Sequence, residues 1–151
     1  MKTKTVSLKA QAVRLLARRE YARAELDSRL ASTGAPRDEV RGVLDELTAV
    51  GLLSDERYAR SVTNQKAGRA SSRNIASSLK AKGVGADTIA SAIAEAGIDD
   101  EAALAALWQR RFGRVPVDER DRARQVRFLQ ARGFSISAIL QLLRREGAAK
   151  T

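Results

Sequence analysis

The sequence predicts an all-α protein of three tandem three-helix repeats, helix-turn-helix-like units stacked in an elongated, curved array. Three observations predict it. Apolar residues recur at helical spacing, glycines stand at regular stops between the periodic segments, and a Leu-x-x-x-Gly signature returns at intervals of 49 and 50 residues.

The helices follow in order. Val40, Val43, Leu44, Leu47 and Val50 fall at i, i+3, i+4, i+7 and i+10, and Ile136, Ile139, Leu140 and Leu143 repeat the pattern. Leu104, Leu107 and Trp108 form a shorter version. β-branched residues are scattered and alternation never persists, so no strand is predicted. Gly34, Gly51, Gly68, Gly83, Gly97, Gly113, Gly133 and Gly147 each follow a periodic segment. That is where a left-handed residue ends a helix without a Cβ penalty; Gly42 and Gly85 fall elsewhere. Ser54 before Asp55 and Glu56, the pair Asp99 and Asp100, Ser135 after Gly133, and Pro36 mark helix starts. The predicted helices are 5–19, 22–33, 36–50, 54–67, 71–82, 86–96, 99–112, 118–132 and 135–146, with one longer link at 113–117.

These nine helices sort into three groups of three. Leu30 and Gly34, Leu79 and Gly83, and Leu129 and Gly133 end the three middle helices. Six residues past each glycine stands Val40, Ile89 or Ile139, and ten past stands Leu44, Ile93 or Leu143. The repeats are therefore placed at 1–53, 54–98 and 99–151, with bends expected near 51–54 and 97–99. A unit of this size buries little surface alone, so neighbours must complete each other's cores.

Composition excludes several kinds of chemistry. There is no cysteine and no histidine, which removes disulfides, thiol catalysis, the commonest metal ligand and the commonest general base near neutral pH. The basic start, MKTKTVSLKA, lacks an apolar core and is not read as a signal peptide. No apolar run approaches membrane-spanning length, and a cytoplasmic protein is expected. Gly68-Arg69-Ala70-Ser71-Ser72 lacks the Gly-Lys pair of a phosphate loop. No catalytic constellation, cofactor motif or paired-carboxylate metal motif is present, so binding rather than catalysis is expected.

Charge is the feature left to carry function. The net charge is +10, divided as +3 over residues 1–53, 0 over 54–108 and +7 over 109–151. Arg120, Arg124 and Arg127 lie at i, i+4 and i+7 on the eighth helix, opposite Val126 and Leu129, and form an exposed stripe, with Glu119 and Asp121 expected to neutralise Arg120 and Arg124 in part. Arg110, Arg111 and Arg114 stand just upstream. Arg18, Arg19 and Arg23 are a second, smaller group. Guanidinium groups suit bidentate contacts to phosphate or carboxylate. Major-groove reading by all three repeats is disfavoured. The third helix of the first repeat is acidic outside, that of the second exposes no cation, and only the third offers Arg144 and Arg145. Tyr21, Tyr58, Trp108, Phe112, Phe128 and Phe134 are dispersed and most read as core, which argues against stacking on single strands.

Several segments together resemble the RecX family of RecA regulators. They are LLARREYARAELDSRL over 15–30, LTAVGLLSDERYARS over 47–61, SLKAKGV over 78–84, and RFLQARGFS over 127–135. Arg110-Arg111-Phe112 resembles the family's basic-basic-Phe segment. The resemblance spans nearly the whole chain, in order and spacing. In the middle repeat the family's Gly-Pro-type turn and acidic residue are replaced by the 68–75 segment and Ser78. The resemblance implies three three-helix repeats and a non-catalytic modulator, usually an inhibitor. Such proteins bind in the groove of the RecA–DNA filament and suppress ATP hydrolysis, strand exchange and co-protease activity in recombination, DNA repair and the SOS response. The expected partners are the RecA filament and DNA, bound by a monomer. The alternatives are a stand-alone DNA-binding or architectural protein acting without RecA, and a helical-repeat adaptor.

Overall fold

The computed structural model describes residues 6–149. The predicted first residue of the first helix, Thr5, lies outside the described residues, as do Lys2, Lys4 and Lys150. Among the described residues there are nine helices and no strand: α1 (Leu8–Arg18), α2 (Arg23–Ala31), α3 (Arg37–Ala49), α4 (Asp55–Lys66), α5 (Ser72–Ala81), α6 (Ala86–Ala96), α7 (Asp100–Arg111), α8 (Glu119–Ala131) and α9 (Ile136–Ala149). Each corresponds to a helix the sequence predicts.

Side-chain caps set most starts. Ser7, Ser54, Ser71, Asp99, Asp118 and Ser135 each accept a hydrogen bond from a backbone N–H two or three residues on. Glycine sets most ends. Gly34, Gly51, Gly68, Gly83, Gly97, Gly113 and Gly133 all have positive φ. Gly147 does not, and α9 runs through it to Ala149. The expected stop there is corrected: Ala148 and Ala149 are strong helix formers, and no reversal demands a left-handed residue.

The chain divides into two compact units, and the division passes through the middle repeat. One contains residues up to Val62 with Leu79–Ala92; the other contains Thr63–Ser78 and residues from Ile93 on. The first has a core of Leu8, Ala12, Tyr21, Leu26, Leu30, Val40, Leu44, Leu47 and Leu53. The second has a core of Ala103, Leu104, Leu107, Trp108, Leu129, Phe134, Ile139, Leu142 and Leu143. Leu30, Leu79 and Leu129, the repeated leucines, are all fully buried. Full burial of one such side chain contributes about 1.5–3 kcal/mol.

Each unit contains one junction between consecutive repeats, and the two junctions use the same two devices. The first is a carboxylate borrowed from the next repeat. The α2 N-cap is Ala22, which has no side-chain acceptor. Asp55, at the start of α4, accepts from the Arg23 N–H at 2.7 Å. In the other unit Asp100, at the start of α7, accepts from the Ser72 N–H at 2.7 Å and the Ser72 hydroxyl at 2.6 Å. A carboxylate at a helix N-terminus is favoured by the orphan N–H groups and by the helix dipole. Asp100→Ala is therefore expected to cost about 1 kcal/mol. A urea midpoint indistinguishable from that of the unmutated protein would contradict the shared-cap reading.

The second device is the repeated glycine. A Cβ on Gly83 would lie 2.5 Å from the Ala24 Cβ, on α2 of the preceding repeat. A Cβ on Gly133 would lie 2.6 Å from the Asn74 Cβ and would also meet the Ser71 hydroxyl, at the start of α5. The Ser71 N–H donates to the Arg132 carbonyl at 3.0 Å, which fixes that approach. Gly34, the corresponding glycine of the first repeat, meets nothing within 4 Å. At the first junction Glu25 on α2 also accepts from Arg19 through both oxygens and from Lys82. Burial alone would raise its carboxyl, but the hydrogen bonds from Arg19 and Lys82 outweigh it and hold the group below the usual carboxylate range.

No helix among the described residues is long and apolar enough to cross a membrane. No group of three or more acidic residues among them is placed to hold a metal ion.

Candidate functional site

The predicted arginines divide into held and free ones. Asp118 caps the start of α8, its side chain accepting from the Asp121 N–H. One helical turn positions Asp121 on the flank facing the 113–117 link, and its carboxylate is buried. Asp121 accepts from Arg124 at 2.8 Å, from Arg114 at 2.9 Å and from the Val117 N–H at 3.1 Å. One turn on, the fully buried Gln125 accepts from the Trp108 indole N–H at 2.9 Å and donates to the Arg114 carbonyl at 3.2 Å. These two polar side chains tie α7, the link and α8 together. A buried polar group is tolerable only when satisfied in this way.

The Arg124 hydrogen bond, the Val117 N–H and the Arg114 guanidinium hold the Asp121 carboxyl well below its usual range, at about 2. The folded value lies below the unfolded one, so the stabilisation is complete above roughly pH 4. It is lost as pH falls through about 2. Asp121→Asn is expected to flatten the acid limb of the stability profile between those limits. An unchanged acid limb would count against the assignment.

Arg110 donates to the Gly68 carbonyl at 2.7 Å. Arg120 and Arg127 are exposed, and their side chains have no hydrogen bond or ion pair among the described residues. They share a hollow of about 410 Å³ with Val117, Asp118, Asp121 and Arg124. Val117, 75% exposed, is the one large apolar side chain there.

The second group is largely neutralised within the protein. Arg19 makes both hydrogen bonds to Glu25 at 3.1 Å and stacks on Tyr21 at 3.5 Å. Arg23 pairs with Asp45 at 2.6 Å and donates to Thr48. Arg18 alone of that group is exposed with no side-chain partner among the described residues.

Of the aromatic residues, Tyr21, Tyr58, Trp108 and Phe134 are buried, as expected of core. Phe112 and Phe128 are half-buried and meet edge to face at 5.6 Å between ring centroids. Arg111 lies over both rings, Arg124 over Phe112 and Arg132 over Phe128, at 5.0–5.9 Å. Asp121 pairs with Arg124 as its spacing predicts; sequence reasoning missed Arg132, Gln125 and the burial of Asp121. A signal for the last two was present: Asp121, Gln125 and Leu129 share the i, i+4, i+8 line of a core leucine.

Fold and site together define a class: an all-helical, three-repeat protein with an arginine face on the third repeat. Similarity to known proteins identifies the family. Profiles for the first, second and third three-helix domains of RecX match residues 9–47, 54–93 and 99–143. A "Regulatory protein RecX" from Chromobacterium violaceum is 44% identical over 137 residues, covering 91% of this chain and 89% of that protein. One from Pseudomonas fluorescens is 41% identical, covering 94% and 93%. A crystal structure of RecX from Lactobacillus salivarius shares the fold with a TM-score of 0.68 at 18% identity, covering 93% of this chain and 95% of that one. The chain belongs to the RecX family of regulatory proteins.

Proposed function

We propose that this protein regulates the RecA recombinase by binding the RecA–DNA filament and lowering its ATPase, strand-exchange and co-protease activities. Family membership supports the regulatory role. The observation that favours a filament, with its central polyanion, is the arginine face: Arg120 and Arg127 have no side-chain partner among the described residues, and Arg111, Arg114 and Arg124 are held at the surface beside them. Of the repeats 1–53, 54–98 and 99–151, the third provides most of the electrostatic attraction. The protein acts in the cytoplasm, as a monomer and without a cofactor.

The test is RecA's DNA-dependent ATPase with this protein well below one molecule per RecA. Inhibition in that range supports the reading. No effect on the ATPase, together with tight and salt-sensitive DNA binding, replaces it with a stand-alone DNA-binding protein.

A further inference from the structure

The arginine face contains a feature that net charge does not explain. Phe112 closes α7 and Phe128 lies on the α8 flank facing it, so the two rings pack against the third-repeat core and against each other. Three guanidiniums cover the pair. Arg111 lies 5.2 Å from the Phe128 centroid and 5.9 Å from that of Phe112, Arg124 lies 5.4 Å from Phe112, and Arg132 lies 5.0 Å from Phe128. Arg124 is also held at its edge by Asp121. The side chains of Arg111 and Arg132 are exposed and make no hydrogen bond or ion pair among the described residues. A planar cation over an aromatic face is attracted by the ring quadrupole, and its rotamer freedom falls. Its N–H donors stay available to an outside acceptor. An arginine held this way loses less entropy on binding than a free one.

We infer that Phe112 and Phe128 are positioning residues for a phosphate cradle formed by Arg111, Arg124 and Arg132, which takes the phosphodiester groups of a polynucleotide strand. The rings lie beneath the cations, so the cradle reads backbone and not bases. A polynucleotide suits this face better than a protein does. Charged residues are depleted at the centre of a protein–protein interface, and here three neighbouring guanidiniums cap the aromatic rings. The inference rests on the reading of the arginine face as the contact for an anionic partner. It adds that affinity depends on the orientation of these three guanidiniums, not on their charge alone.

The decisive variant is the triple Arg111→Lys, Arg124→Lys, Arg132→Lys. All three positions are exposed and the net charge stays at +10. A purely coulombic patch would bind as before. An ammonium group lacks the planar fork and stacks poorly, so the cradle predicts about tenfold weaker binding to a fluorescently labelled mixed-sequence DNA oligonucleotide. A second variant, Phe112→Leu with Phe128→Leu, keeps apolar bulk, removes the ring faces and should weaken binding in the same direction. The control triple Arg41→Lys, Arg73→Lys, Arg144→Lys, at exposed positions outside the cradle, should leave binding unchanged.

Affinity of the cradle triple within about twofold of the unmutated protein overturns the inference, as does an equal loss in the control triple. So does competition by polyglutamate as effective as that by unlabelled oligonucleotide. If the phenylalanine pair variant does not fold, judged by its circular dichroism and melting, the lysine triple decides alone. RecA's ATPase, assayed in parallel, separates this inference from the proposed function. Unchanged inhibition with unchanged DNA binding removes the cradle and leaves the regulator. Tenfold weaker DNA binding, with no effect of any form on RecA, keeps the cradle and removes the regulator.

Discussion

Gly133→Ala is expected to lower the folding stability by about 2–4 kcal/mol, the sum of left-handed strain and overpacking. At φ +95° an alanine is strained whatever the space. The new methyl would also press on the Asn74 Cβ and the Ser71 hydroxyl. Neither neighbour yields easily. Asn74 is fixed in the first turn of α5, and the Ser71 hydroxyl caps the Asn74 N–H at 3.0 Å. Gly34→Ala is the internal comparison. It shares the positive φ, with open space around the Cβ, and should cost only about 1–2 kcal/mol. Denaturant midpoints of the two variants measure the difference. Equal losses would show that Gly133 is a helix stop and nothing more. Gly83→Ala should resemble Gly133→Ala, because Ala24 stands where Asn74 stands.

The second large effect is functional. Arg120→Glu with Arg127→Glu is expected to weaken binding to the RecA–DNA filament by about a hundredfold, because two charge-assisted hydrogen bonds are removed and two repulsions added. The dependence of log affinity on log salt should become shallower by about two. Both side chains are exposed and unpaired among the described residues, so the melting temperature should not move. Arg23→Glu is expected to do the opposite. It faces Asp45, so it should disturb the first unit's stability more than filament binding. The matched control is Arg69→Glu with Arg73→Glu, in the segment of zero net charge. An equal loss of binding from that pair would remove the third repeat's arginines from their assigned role.

The helices are legible in the sequence because their signals are local. A cap bonds two or three residues along the chain, a left-handed glycine ends its own helix, and an apolar stripe needs only the helical period. The same locality explains the one misplaced stop, at Gly147. A glycine permits a reversal without compelling one, and the following alanines continue α9. The candidate site is legible only as a cluster of charge. Arg120, Arg124 and Arg127 share a face by spacing alone. Asp121, three residues from Arg124, is legible as its partner, but the pairing of Asp45 with Arg23, the reach of Arg114 to Asp121 and the burial of that carboxylate come only from tertiary packing. Phe112 and Phe128, sixteen residues apart, stand dispersed in the sequence, and only the α7–α8 packing joins them.

By itself, then, the sequence determined the nine helices, the threefold repetition and the basic third repeat, because periodicity, turn chemistry and charge count are properties of short windows of chain. Only the tertiary structure decided the rest. It gave the repeated glycine a second role at each junction, lent Asp55 and Asp100 to helices of the preceding repeat, and sorted the arginines into held and free. Those are outcomes of which surfaces meet, and a pairing energy exists only once two groups stand within a few ångströms of each other.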